Sequence, residues 1–585
     1  MWLAGIGAVL GQENEIVLLQ PFFVEGEMLG QPWRYGRLPG FEILSRCYDD
    51  KSSALAFSYF RARRQLEVLI PERFLGRFDV PTKLILYDST FSEAAVQASA
   101  AEVLPSMRII FESVEKRTPG DPTPFDRMRA PDPLLSIPVY SPPKVVEGPT
   151  TYSRQPVFFR DMRLSDVDEI VLFAVAPAGS GHYYQRALRP SYLAKLIAAR
   201  TPQLPGWFVA GFLDLYERLE FAENTIMLEP FEWIDQERTK AARRNPRAVS
   251  AGWRPLVELL GDDRGAVPQR SPEAMEAATA QLRLFFRWAL DPKNAQRREA
   301  FWSFVDRSCK EQVTEELFRS AFGEFSSEVA RSMAGYLRTA LRDPVFWHAP
   351  HVEEPEIRFV DASRADSARI RGDWERLQAV HVGMSAPEFT AKYREKAQTT
   401  LQRAYDRGER GADFLAVLGL NELESGDAST ARGYLEDATT GGVVQPRAYL
   451  ELARLKLADF LGGPAEARKL TAEQSATVMQ LLSVANSQSP RVLKTYQLGL
   501  DILDHTDSAP RADDLTFLVQ GTEDFPRSAE LACRTAKLLL TAGRRAEAFT
   551  LVEKATRLGA NGPLRQSLEE LHAGLVRENA LTSQR

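Results

Sequence analysis

Few residues of this chain have the types and spacing that chemistry requires. Ser191 and Lys195 stand four apart, and on one helix face they would form a nucleophile and its base if the lysine were desolvated enough to lose its proton. The common Ser–Lys motif spaces the two by three, and a serine in the first turn of a helix beside an exposed lysine is the plainer reading. His348 and His351 form an HxxH followed by Glu353 and Glu354, a spacing near that of some metal ligands, yet prolines interrupt the segment and it reads as a solvated loop between domains. His182, in GHYYQ, stands alone, and a lone histidine is more often hydrogen-bonded or at the surface than a ligand. Asp214, Glu217 and Glu220 fall on one face of an expected helix with Arg218 interleaved, the pattern of a solvated surface. The AGSG turn at 178–181 lacks the Lys-Ser/Thr or GxGxxG context of a phosphate cradle. Cys47, Cys309 and Cys533 are widely separated and form no CxxC, which predicts packed thiols rather than a disulfide framework or a thiolate metal knot.

The elements that must position these residues fall into two halves. At 585 residues the chain exceeds one domain several times over, and a net charge of -6 gives no electrostatic reason to expect nucleic acid. Residues 1–116 read as a small α/β unit: FEILS and PTKLILYDS are strand candidates on either side of a helical run from Ser52 to Leu75. Residues 117–155 are dense in Pro, Gly, Asp and Ser, an excursion or linker. A domain over 156–345 opens with strand candidates PVFFRDMRL and DEIVLFAVAP. Helices follow over 183–200, 211–221, 272–290, 297–306, 314–322 and 326–341. A boundary is expected in WHAPHVEEPEIRF (347–359), within a connector over 346–385. The N-terminal MWLAGIGAVLGQENE has an apolar run too short to span a bilayer, with no Lys or Arg before it. It fits a secretory signal cut near Gly11 or a first strand, leaving exported, periplasmic and cytoplasmic locations open; no other stretch has the length of an integral membrane segment.

From 386 to 585 the spacing changes. Leu418, Gly419, Gly426, Ala431, Leu435 and Ala438, and again Ala532, Ala536, Gly543, Ala548, Val552 and Ala555, recur as in a helix-turn-helix repeat of about 34 residues, where small residues permit close crossing. Helix pairs at 448–460 and 477–485 lie between them. This segment resembles degenerate tetratricopeptide repeats. Residues 156–341 resemble the gluzincin-type, peptidase-MA-like zinc metallopeptidase domain of many bacterial proteins, on the strength of the strand, Gly turn and helix, the LPGWFVAG anchor, and the run FFRWALDP, REAFWSFVD, EELFRSAFG. That family carries H-E-x-x-H on the first helix and a third ligand, Glu, after its Leu-Pro-x-Trp-Phe.

Carried over by the anchor, Pro190 stands at the first ligand, Ser191 at the general base, Ala194 at the second ligand and Ala210 at the third. None has the imidazole or carboxylate that zinc requires, and without metal no water would be activated at neutral pH. Pro190 also lacks an N–H and belongs in the first turn of a helix. The expectation is therefore an α+β N-terminal half, with a mostly helical zincin-like domain, followed by an all-α helical-repeat solenoid. No catalytic, cofactor or metal site is expected. The repeats would bind a protein or peptide along their groove, the N-terminal half serving as scaffold. Two alternatives are a hydrolase rebuilt without metal near Ser191 and Lys195, and a repeat adaptor whose N-terminal half is only a spacer.

Overall fold

The computed structural model describes residues 31–88, 161–176, 188–222, 224–261, 272–385, 387, 390–462, 469–558 and 563–583. The N-terminal apolar run, the 117–155 excursion, the AGSG turn and His182 lie outside the described residues. Nine strands form two sheets among these residues: β1 (Arg34–Leu38), β2 (Phe41–Ser45), β3 (Thr82–Asp88), β4 (Asp161–Ser165), β5 (Ile170–Ala176), β6 (Leu219–Phe221), β7 (Thr225–Leu228), β8 (Val345–His348) and β9 (Val360–Asp361). The larger sheet has the order β4-β5-β3-β2-β1-β9, with β2, β3 and β5 parallel and the outer pairings antiparallel. The smaller is β6-β7-β8, antiparallel throughout.

Every residue of β3 is buried. Side chains alternate across a strand, so a fully buried strand needs cover on both faces. On one face Leu84 and Leu86 join Ile43 and Leu172 in the large core, against helix α1 (Asp49–Leu69), whose Leu55, Tyr59, Ala62, Leu66 and Leu69 recur at helical spacing. On the other, Ile85 and Tyr87 meet Val171, Phe173, Ile370 and Trp374. The last two belong to a helix that begins more than 270 residues beyond the strand they cover.

The body continues through α2 (Pro190–Ala198), α3 (Gly206–Tyr216), α4 (Gln236–Arg244), α5 (Pro246–Ala251), α6 (Leu256–Gly261), α7 (Pro272–Ala289), α8 (Ala295–Ser308), α9 (Glu315–Phe322) and α10 (Ser326–Ala340). Antiparallel pairs follow: α11 (Arg364–Ser385) with α12 (Thr390–Asp406), α13 (Ala412–Ser425) with α14 (Ala428–Thr440), α15 (Pro446–Leu461) with α16 (Ala472–Ser487), α17 (Leu493–Asp504) with α18 (Ala512–Asp524), and α19 (Ala529–Thr541) with α20 (Arg545–Leu558), closed by α21 (Pro563–Ser583). The small-residue spacing marks these crossings: a Cβ on Gly419 would lie 2.8 Å from Leu435 Cγ, and Ala548, Val552 and Ala555 are buried on α20.

Three expected boundaries fall elsewhere. Residues 1–116 and 156–345 were expected as separate units, but β3 pairs with β5 from Lys83↔Val171 to Asp88↔Ala176, and one core runs from Leu38 to Phe359. The 346–385 connector is structured: Trp347 in β8 is 2% exposed, β9 pairs with β1, and α11 covers the sheet. The repeats therefore begin at Arg364 rather than 386, because α11 is the partner of α12. The helix expected over 211–221 runs over Gly206–Tyr216, and its last residues form β6.

Candidate functional site

The four positions matched to the zinc motif lie on α2 and α3. Helix α2 begins at Pro190, whose missing N–H costs nothing at a helix's first residue. Ser191 is exposed, Ala194 is buried, Lys195 and Ala210 are half-buried. Lys195 Nζ reaches away to the Val167 carbonyl at 3.4 Å. The Leu-Pro-Gly-Trp-Phe anchor packs: the Trp207 ring lies 6.2 Å from Phe285, 5.9 Å from Phe286 and 5.8 Å from Phe304, centroid to centroid. Gly211 completes the contact, since a Cβ there would sit 2.3 Å from the Phe286 ring. The anchor thus joins α3 to α7 and α8. A pair of alanines and a proline supply no donor atom, and Ser191 at the surface adds one hydroxyl, so these four side chains hold no zinc.

The other candidates disperse. Asp214 lies on α3 with Oδ2 2.8 Å from Arg283 Nε, while Glu220 is exposed in β6, so the acidic trio is not one helix face. His348 is exposed at the end of β8 and His351 exposed beyond it, with Glu353 and Glu354. All three cysteines are free and buried, as expected. Burial pushes the Cys309 thiol up, away from reactivity, although Arg200 Nη1 donates to its Sγ at 3.0 Å.

A denser set of charges lies where the sheet meets the repeats. The β4–β5 turn brings Asp166, Asp168 and Glu169 to α11, which offers Asp373 and Arg376 one turn apart. Lys83 Nζ, inside β3, lies 2.8 Å from Glu169 Oε2 and also binds Asp373. Arg376, completely buried, binds Asp373 at 2.9 Å, Asp166 at 3.2 Å, Glu424 of α13 at 2.8 Å, and Glu169. Arg447 of α15 shares Glu424 at 2.8 Å and also binds Asp166. The Arg447 N–H donates to Asp168 Oδ2 at 2.7 Å, so a carboxylate from the sheet caps the first turn of a repeat helix whose own cap residue, Gln445, makes no such bond.

Burial sets the electrostatics here. It pushes Asp168 up, and it pushes Glu169 up with help from the adjacent Asp373 carboxylate. Burial would raise Asp373 as well, but Lys83 and Arg376 outweigh it and hold that carboxyl below the usual range. Oxygens of Asp166, Asp168 and Glu169 lie within 4.8 Å of one another. Three protein cations already occupy their surroundings, so the arrangement acts as an ionic clamp. Three more bonds extend the junction: the Asp79 N–H donates to the Ser489 carbonyl at 2.9 Å, the Ser489 N–H to Asp79 Oδ2 at 2.8 Å, and Arg527 to the Ser308 carbonyl at 2.8 Å. Arg447, Ser489 and Arg527 lie at or beside the turns entering α15, α17 and α19, so the body runs along one edge of the array.

Farther out, the first helices of successive pairs meet through exposed charges. Arg534 of α19 binds Asp501 at 2.7 Å and Asp504 at 2.6 Å on α17, and Gln497 reaches Glu530 at 3.4 Å. By contrast α13 is buried without a break from Phe414 to Glu422. Sequence reading missed the junction. Its signals were Lys83 amid the apolar β3 and the Arg-Gly-Asp-Trp-Glu-Arg texture of α11, both of which look locally like ordinary surface.

The fold is that of an α+β body continued by an array of antiparallel helix pairs, and among the described residues no helix is long and apolar enough to cross a membrane. No protein-family model matches the chain, and no curated protein matches it. The resemblance of 156–341 to a zinc metallopeptidase domain therefore has no support from either comparison. Among solved structures the chain is similar to YrrB, described as a TPR protein with an unusual peptide-binding site, at 13% identity over 36% of this chain and 98% of that one, with a TM-score of 0.25. It is also similar to a thermophilic TPR protein of Thermus thermophilus, at 18% identity over 34% of this chain and 98% of that one, with a TM-score of 0.21.

Proposed function

We propose that this protein is a non-catalytic scaffold whose helical-repeat array binds a protein or peptide segment while the α+β body serves as its rigid base. The observation that carries the reading is the double role of α11, which covers the sheet with Ile370 and Trp374 and pairs with α12 as the first helix of the array. A body that shares a helix with the array supports the reading of a rigid base over that of a spacer. The face of α17 and α19 around Asp501, Asp504 and Arg534 is partly exposed, and stacked helix pairs offer such a face as a continuous groove. The body is further read as a metallopeptidase-like domain emptied of its ligands: α2 follows the sheet, α3 packs on α2, and Pro190, Ser191, Ala194 and Ala210 carry no zinc-binding set. Nothing about Ser191 or Lys195 favours a rebuilt hydrolase, since the first is at the surface and the second is drawn to the β4–β5 turn.

The test uses the full chain as bait. A protein retained by the wild type and lost with Arg534→Glu, at unchanged melting temperature, bears the reading out. Stoichiometric zinc in the purified protein, or peptide hydrolysis abolished by Ser191→Ala or Lys195→Ala, overturns it.

A further inference from the structure

Helix α7 ends in QLRLFFRWA, in which Arg283 and Arg287 stand four apart among mostly apolar residues. Both are buried, Arg283 at 6% and Arg287 at 1% exposure. A buried guanidinium normally has a carboxylate partner and few idle donors. Among the described residues Arg287 has no carboxylate at ion-pair distance; Nη1 donates to the Glu229 carbonyl at 2.5 Å and Nη2 to the Asp343 carbonyl at 2.6 Å. Its Nε finds no acceptor. Arg283 Nε approaches Asp214 Oδ2 to 2.8 Å, yet both atoms lack an aligned hydrogen bond. Arg283 Nη1 also donates to the Glu232 carbonyl at 3.5 Å, so each arginine keeps one buried Nε without an aligned acceptor, both in one place.

That place is a cavity of about 150 Å³, closed on its apolar side by Leu215, Leu228 and Phe231. Arg218, Glu220, Glu229 and Glu232 complete its lining, the glutamates standing nearer solvent than the two buried arginines. A guanidinium has five donors in a planar fork that matches a carboxylate with two parallel bonds. Arg287 gives donors to two carbonyls and lies against the Tyr336 hydroxyl, and its Nε remains without an acceptor for such a ligand to fill.

We propose that this cavity is a binding site for a small monocarboxylate with a short apolar chain, the carboxylate held by Arg287 and Arg283 and the chain lying against Leu215, Leu228 and Phe231. A ligand of this kind pairs directly with a buried guanidinium whose neighbouring carboxylates, Asp291 and Asp343, lie beyond ion-pair distance, and its chain meets the apolar side of the lining. Two sources share the chemistry, a simple fatty acid and an α-amino acid, and they differ in whether an ammonium group also meets the glutamates.

Butyrate and 2-aminobutyrate, titrated into the full chain by calorimetry at constant ionic strength, separate these cases. Saturable butyrate binding that weakens at least about tenfold in Arg287→Gln supports the proposal. Because Arg287 also ties Glu229 to Asp343, that variant is paired with Leu228→Phe, which fills the cavity and leaves both arginines in place. Loss of binding in Leu228→Phe at an unchanged melting temperature supports the site even where Arg287→Gln fails to fold. Tighter binding of 2-aminobutyrate assigns the ammonium to the glutamate rim, and equal binding assigns recognition to the carboxylate alone. Absence of saturable binding by either acid overturns the proposal, as does binding that neither variant changes.

Discussion

Two sets of ion pairs hold neighbouring elements together, and they differ in where water stands. At the junction, Arg376 and the carboxylates of Glu169 and Asp373 are fully buried. On the outer array, Arg534 is a quarter exposed and its partners Asp501 and Asp504 nearly half. Removing one member of a buried pair leaves an uncompensated charge in a poor dielectric, whereas an exposed pair is replaced by water. The same residue types therefore serve as a lock in one place and as a modest trim in the other. The lock joins segments far apart in sequence, from Lys83 to Arg447, while the trim joins helices one repeat apart.

The most severe way to break this comparison is to cut the chain at 386. A fragment of 386–585 loses α11, exposing the face of α12 and α13 that includes Leu401; a Cβ on Gly372 of α11 would lie 2.4 Å from that leucine, so close is the fit. Circular dichroism of the fragment should show loss of cooperative melting in its first pair, while a fragment beginning at 364 must bury Trp374 elsewhere and should self-associate. Next in size is Arg376→Ala, expected to cost about 3–5 kcal/mol by urea denaturation of the full chain. A cost below about 1 kcal/mol would mean that the junction is no lock.

The pH dependence sharpens the contrast. Asp168 and Glu169 are raised by burial, so their share of stability is complete below the usual carboxylate range of about 4 and is lost as pH climbs through their higher folded values. Glu169→Gln imitates the protonated acid. The melting temperature of that variant should therefore rise relative to the wild type between about pH 5 and about pH 8, and a constant difference would remove Glu169 from the explanation. Smallest is Arg534→Ala, expected to cost about 0.2–1 kcal/mol and to lose even that in high salt.

Much of the fold was legible because its periods are local. FEILS became β2 without a residue's error, and the small-residue spacing around Gly419 and Ala548 marked true crossings. Helix α11 was not legible in its role. Arg369, Asp373, Glu375 and Arg376 give it the look of a solvated connector, but their partners include Glu42, Lys83, Asp166 and Glu424, which no window along the chain contains. The six-strand sheet was hidden in the same way, because β9 is two residues long and lies more than 300 positions from the strand it joins. That Pro190, Ser191, Ala194 and Ala210 offer no zinc-binding set could be read from residue types alone. The arginine pair of α7 could have been noticed as charge among mostly apolar residues, but nothing in sequence says that its donors are idle.

Helix α11 also bears on how such a chain can be shuffled. A repeat array is readily exchanged between proteins when it starts with a helix of its own, since recombination at its border leaves both products with complete cores. Here the border helix has two owners: taken with the array it strips one face of the sheet, and left with the sheet it removes half of the first pair. Any exchange that preserves folding must carry body and repeats as one inheritance, or supply a substitute helix that fits both sides at once.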